Sequence, residues 1–162
     1  MPIRHTDKGW MWGSKGPFPS KAKALQVARA AYASGYKKEQ IMDHSACAEF
    51  VGTLLHSSTI THFMHLQTKS FAAHMALGDY YDGVIELTDS LAESIQGKYG
   101  IITGYGPAFA VPAVEPVAYL KSLMEYVDEK RDELPPDSEI QNEIDSICTL
   151  INSTVYKLEN LS

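Results

Sequence analysis

The stretch that decides the fold is residues 62–95, HFMHLQTKSFAAHMALGDYYDGVIELTDSLAESI. Its second half has helical periodicity, with Phe71, Met75, Tyr81, Val84, Ile85, Leu87, Leu91, Ala92 and Ile95 as the apolar set. On the same helix, Asp82, Glu86, Asp89 and Glu93 are spaced 4, 3 and 4 apart. On a helix these four fall within about 60° of arc, a single acidic stripe with Gly78 on the same line. Such a stripe is either simply solvated or offset by something cationic, because like charges at i,i+4 repel. The first half holds three histidines, His62, His65 and His74, around a short polar break at Gln67, Thr68, Lys69 and Ser70. Ser70 reads as the cap of the second helix, which runs from about Phe71 to Tyr99 and ends at Gly97 and Gly100.

Working outward, a first long helix reads from about Lys38 to Thr68, with Ile41, Ala48, Val51, Leu55, Ile60 and Phe63 along its apolar side. Its Ser and Thr residues lower local propensity, so packing must support it. Residues 100–113 lack periodicity and carry Gly104, Gly106, Pro107 and Pro112, with Tyr105 and Phe109 between them, which predicts a long crossover. A third helix opens near Val114, Glu115 and Pro116 and continues through Leu120, Leu123, Met124 and Val127 to Leu134. Pro135 and Pro136 stop it, and Asp137 caps a fourth bearing Ile140, Ile144, Ile147, Cys148, Ile151, Val155 and Leu158. No convincing strand is apparent. Four long helices with tight, long and tight links predict an all-α chain, a ferritin-like four-helix bundle with its long crossover between helices two and three, over residues 38–162. Residues 1–37 read as an irregular aromatic arm followed by a short helix from Lys21 to Ala33, capped by Ser20 and closed by Ser34 and Gly35.

The chain has 162 residues and a formal net charge of −6. Residues 1–40 hold eight basic and two acidic side chains, which makes +6; the remainder holds six basic and eighteen acidic, which makes −12. Hydrophobic content of 44% argues against disorder. Cys47 and Cys148 form no CxxC pair and read as reduced, buried thiols. No apolar run approaches the roughly 18–20 residues that span a bilayer, and the N-terminus has no signal-peptide core. These features predict a soluble, cytoplasmic protein without a membrane partner.

Imidazoles beside carboxylates, with no paired Cys, suit a borderline divalent metal such as iron or zinc over calcium. The spacings His62 to His74 of 12, His74 to Asp89 of 15 and Asp89 to Glu93 of 4 resemble the ferroxidase pattern of the Dps family, the ferritin-like DNA-protecting proteins of starved cells. The resemblance covers residues 62–95 as motif and about 40–160 as architecture. It implies an Fe(II)/Fe(III) site made by His62 and His74 of one subunit with Asp89 and Glu93 of its dimer mate, zinc acting as a surrogate. Asp82, Glu86 and His65 are further candidate ligands. The resemblance also implies a homo-oligomer built from dimers, a dodecamer in a true Dps, that oxidises Fe(II) with peroxide or dioxygen and stores or detoxifies the product. DNA contact by the basic segment, through Lys15, Lys21 and Lys23, is a further expectation of the resemblance. Two departures stand out: Gly78 occupies the position where the family usually has an additional acid, and Phe63 follows the first His where the family commonly has Trp. The rival reading is a ferritin-like structural or interaction protein without oxidation. Another type of di-metal bundle enzyme is disfavoured, since no Glu-x-x-His pair occurs.

Overall fold

The computed structural model describes residues 3–12, 15–33, 44–106 and 110–161. The proposed closure of the short helix at Ser34 and Gly35, the basic pair Lys37 and Lys38, the opening of the first long helix through Ile41, and Pro107 and Phe109 lie outside the described residues. Two compact units are present, Met1–Ile41 and Met42–Ser162.

The first unit corrects the expectation of an irregular arm and of a chain without strands. Ile3–Thr6 (β1), Gly9–Trp12 (β2) and Lys15–Phe18 (β3) form an antiparallel sheet in the order β1-β2-β3, followed by helix α1, Lys21–Ala33. Ile3 faces Trp12 and His5 faces Trp10 across the first pair, so alternate residues share one side. Trp12 is buried, as are Ala24 and Ala28 of α1, and α1 packs on β2. Gly9 and Gly16 take φ of +126° and +129° where the chain turns and bulges. An added Cβ would meet the Phe18 carbonyl oxygen at 2.9 Å and the Met11 sulfur at 2.7 Å. The Ser20 hydroxyl accepts from the Lys23 amide at 3.2 Å, the expected cap of α1.

The second unit is helical: α2, Ser45–Gln67; α3, Phe71–Tyr99; α4, Pro116–Lys130; and α5, Ser138–Asn160. α3 packs against α2 and α5, and α4 against α5 and α2. Leu77, Tyr80, Val84, Thr88, Leu91 and Ile95 form the buried stripe of α3, at three- and four-residue steps. Phe71, Met75 and Ile85, read as core, are exposed instead, as are Leu55 and Phe63 of α2. Packing does support the Ser and Thr residues of α2. Ser57 donates to the Leu54 carbonyl at 2.7 Å, Thr61 to that of Ser57 at 2.7 Å, and Ser58 across to that of Tyr81 at 3.0 Å. Both cysteines are free and buried.

α4 is shorter than expected: it ends at Lys130, and a single 3-10 turn, Arg131–Glu133, carries the chain on before Pro135. Asp137 stands at the N-cap of α5, but its side chain does not cap. Its carboxylate instead accepts from Lys98 Nζ at 2.6 Å and from the Tyr99 hydroxyl, tying the end of α3 to the start of α5.

Candidate metal site

The α2–α3 turn is built by short-range hydrogen bonds. Ser70 caps α3, accepting from the Ala73 amide at 3.2 Å, and the Ser70 amide donates to Thr68 Oγ1 at 3.2 Å. This turn lays α3 back along α2 and brings the histidines from both sides of the break together. The rings of His65 and His74 stack at 3.7 Å, and those of His62 and His65 lie 5.8 Å apart at 70°. His65 Nδ1 lies 2.8 Å from the His74 carbonyl oxygen, and His74 Nδ1 lies 3.2 Å from that of His65. A carbonyl only accepts, so each Nδ1 is the donor, and in the neutral imidazole each Nε2 keeps its lone pair. That is the tautomer of a metal-ligating imidazole, set by a backbone carbonyl behind the ring.

Tyr81 completes the cluster and was not singled out from the sequence. Its ring stacks on His62 at 4.3 Å and meets His65 edge-on at 5.2 Å. The available signal was its spacing, since 74, 78 and 81 lie on one helical line. Between them, Gly78 leaves a gap in which an added Cβ would touch the His65 ring at 3.6 Å, an ordinary contact.

The acidic stripe lies elsewhere. Asp82, Glu86, Asp89 and Glu93 are all exposed. Asp89 and Glu93 follow His74 by 15 and 19 residues on one continuous helix, about 22 and 28 Å along its axis. One chain therefore unites His62, His65 and His74 but not the carboxylates of the expected set. Among the described residues no group of three or more His, Cys, Asp or Glu is placed to hold a metal ion. In the first unit, the ammonium of Lys15 lies 5.8 Å from the Trp12 ring and that of Lys21 lies 5.7 Å from the Trp10 ring. Lys23 donates to Gln26 Oε1 at 3.2 Å. No helix among the described residues is long and apolar enough to cross a membrane.

The chain belongs to DUF5856, a family of unknown function, whose model matches residues 65–158. That span includes His65, His74, Tyr81 and the whole acidic stripe. The chain is also similar to an uncharacterized 14.6 kDa protein from the mobD-ri intergenic region of Enterobacteria phage T4. The two are 27% identical over 117 residues, 70% of this chain and 88% of the phage protein. No solved structure matches.

Proposed function

We propose that the helical unit is a ferritin-like four-helix bundle and that the chain is a Dps-like iron-handling protein. It would oxidise Fe(II) between His62 and His74 of one copy and Asp89 and Glu93 of a second. The order of packing, α2 beside α3 and α4 while α5 closes the ring, supports the bundle, as does the long connection from Tyr99 to Pro116. The observation that carries the reading is the separation of imidazoles and carboxylates on one helix. About 22 Å apart along α3, they form one donor set only when a second copy packs with α3 running the other way. Phe63, Leu66, Phe71 and Met75 are exposed around the imidazole cluster. An apolar patch beside a polar site is the surface a second copy would cover.

Iron is the substrate in this reading. Neutral imidazoles and ionised carboxylates suit Fe(II), while the ferric product favours the carboxylates. The acidic excess of residues 41–162 would draw the cation in. Gly78 is what favours the rival, a bundle that keeps the assembly without oxidation. The two part on one experiment, an anaerobic Fe(II) titration of the intact protein followed by peroxide, with native mass measured in parallel. Saturable Fe(II) binding and oxidation, abolished by His62→Ala and by Asp89→Asn in a protein that remains oligomeric, is the expected result. An oligomer that oxidises no iron is the rival, and a monomer excludes the two-chain site.

The basic unit, with at most two acids for eight bases in residues 1–40, is the part of the chain suited to DNA phosphates. Retardation of duplex DNA that weakens steeply with salt, and weakens further in Lys21→Gln with Lys23→Gln, is expected.

A further inference from the structure

We infer that His62 and His65 form a chelate for a borderline divalent ion, of the zinc, nickel or cobalt kind, within a single chain. His74 acts as the positioning residue behind it. This site needs no second copy and goes beyond the two-chain oxidation site.

The distances choose the pair. An imidazole nitrogen binds such an ion at about 2.0–2.1 Å, and the ring centroid lies about 1.1 Å further back, so each centroid stands about 3.2 Å from the metal. Two imidazoles at a tetrahedral angle then have centroids about 5.2 Å apart, and at 120° about 5.5 Å. The His62 and His65 ring centroids, 5.8 Å apart with their planes at 70°, stand within about 0.6 Å of the spacing that two imidazoles take up around one ion. The His65 and His74 rings, stacked at 3.7 Å, would force an angle of about 70° at the metal, too acute for either tetrahedral or octahedral coordination. His74 therefore serves the site from behind. Its carbonyl accepts from His65 Nδ1 at 2.8 Å, which leaves His65 Nε2 as the ligand atom, and its ring backs that of His65. The interaction of a backbone carbonyl with the far nitrogen of a ligating imidazole fixes both its tautomer and its orientation. His62 is oriented from the other side by the face of Tyr81, 4.3 Å away. It is exposed, so water would fill the remaining positions on the ion. Two imidazoles with water form an N-rich set suited to zinc, copper or nickel, and poorly suited to magnesium or calcium.

The experiment is a calorimetric Zn²⁺ titration of the full chain, with imidazole ¹⁵N shifts as the second readout. One ion per chain is expected at every protein concentration, with the Nε2 resonances of His62 and His65 displaced. Affinity should fall at least tenfold in His62→Ala and in His65→Gln. In His74→Gln the fall should be smaller, and the His65 Nδ1 proton signal should persist, because its acceptor is the backbone carbonyl of residue 74, but shift with the loss of the stacked ring. Asp89→Asn combined with Glu93→Gln should leave Zn²⁺ affinity unchanged while abolishing iron oxidation, so the fate of the two sites is read separately. Far-UV dichroism of each metal-free variant establishes that it is folded. Zn²⁺ binding equal to wild type in folded His62→Ala, His65→Gln double-substituted protein overturns the inference. So does a loss confined to the Asp89 and Glu93 variant, which would assign the ion to the two-chain site.

Discussion

At the residue scale, the hydroxyl of Tyr80 is enclosed where α2 meets α3, its side chain fully buried. Ser57 gives its own proton to the Leu54 carbonyl, so Tyr80 is the donor in the 2.8 Å bond between the two hydroxyls. Burial pushes the Tyr80 phenol well above its ordinary ionisation. Removing one partner strands the other in a dry interior, so Tyr80→Phe and Ser57→Ala should each cost about 1–3 kcal/mol. The double substitution should cost clearly less than the sum, a coupling readable from urea unfolding of the four proteins. Additivity within about 0.3 kcal/mol would mean the two hydroxyls act independently. Asp137 gives a pH-dependent counterpart. The bonds from Lys98 and Tyr99 hold its carboxyl below the ordinary 3.8. A lowered native value contributes stability above 3.8, and that stability is lost as pH falls from there through the native value. Asp137→Asn should therefore lower the melting temperature at pH 7 and flatten its decline below pH 3.8. High salt should shrink the difference, because the group is on the surface.

At the scale of elements, α3 was legible end to end because a capping Ser70, a long periodic run and Gly100 all agree on it. The strands were not. Each is four residues long, Gly and Pro interrupt them, and the alternating pairs Ile3/His5 and Trp10/Trp12 are too short to stand out from an aromatic loop. Phe71 and Met75 entered the apolar set by residue type, yet at about 100° per residue they fall on the acidic line of α3, away from Leu77, Tyr80 and Val84, so helix geometry accounts for their exposure. Asp137 has the composition of a cap, but Lys98 and Tyr99, nearly forty residues earlier in sequence, compete for its carboxylate. Two glycines inside α3 make opposite predictions. Nothing lies within 4 Å of an added Cβ at Gly97, so Gly97→Ala should stabilise by about 0.5–1 kcal/mol through helix propensity. At Gly83 an added Cβ already meets Leu150 at 3.3 Å, and Gly83→Leu should destabilise by about 1–3 kcal/mol by prising α3 from α5. Thermal or urea unfolding of both variants checks the signs.

At the scale of the whole molecule, the candidate site was half legible. Spacing along one chain picked out His62 and His74, while the stacking of His65 on His74 and the role of Tyr81 depend on how two helices meet, which no linear spacing encodes. The charge asymmetry was fully legible, and the folded first unit turns it from a tail property into a surface property. Its basic side chains Arg4, Lys8, Lys15, Lys21, Lys23 and Arg29 are all exposed. At 0.1 M salt the screening length is about 10 Å, so an adsorbing surface senses nearby charges and not the net value. A protein of net charge −6 should accordingly be retained at pH 7 by a sulfonate cation exchanger as well as by a quaternary-amine anion exchanger. Lys21→Gln with Lys23→Gln should elute earlier from the first and later, or unchanged, from the second. For purification, neither column alone would report the chain's true sign.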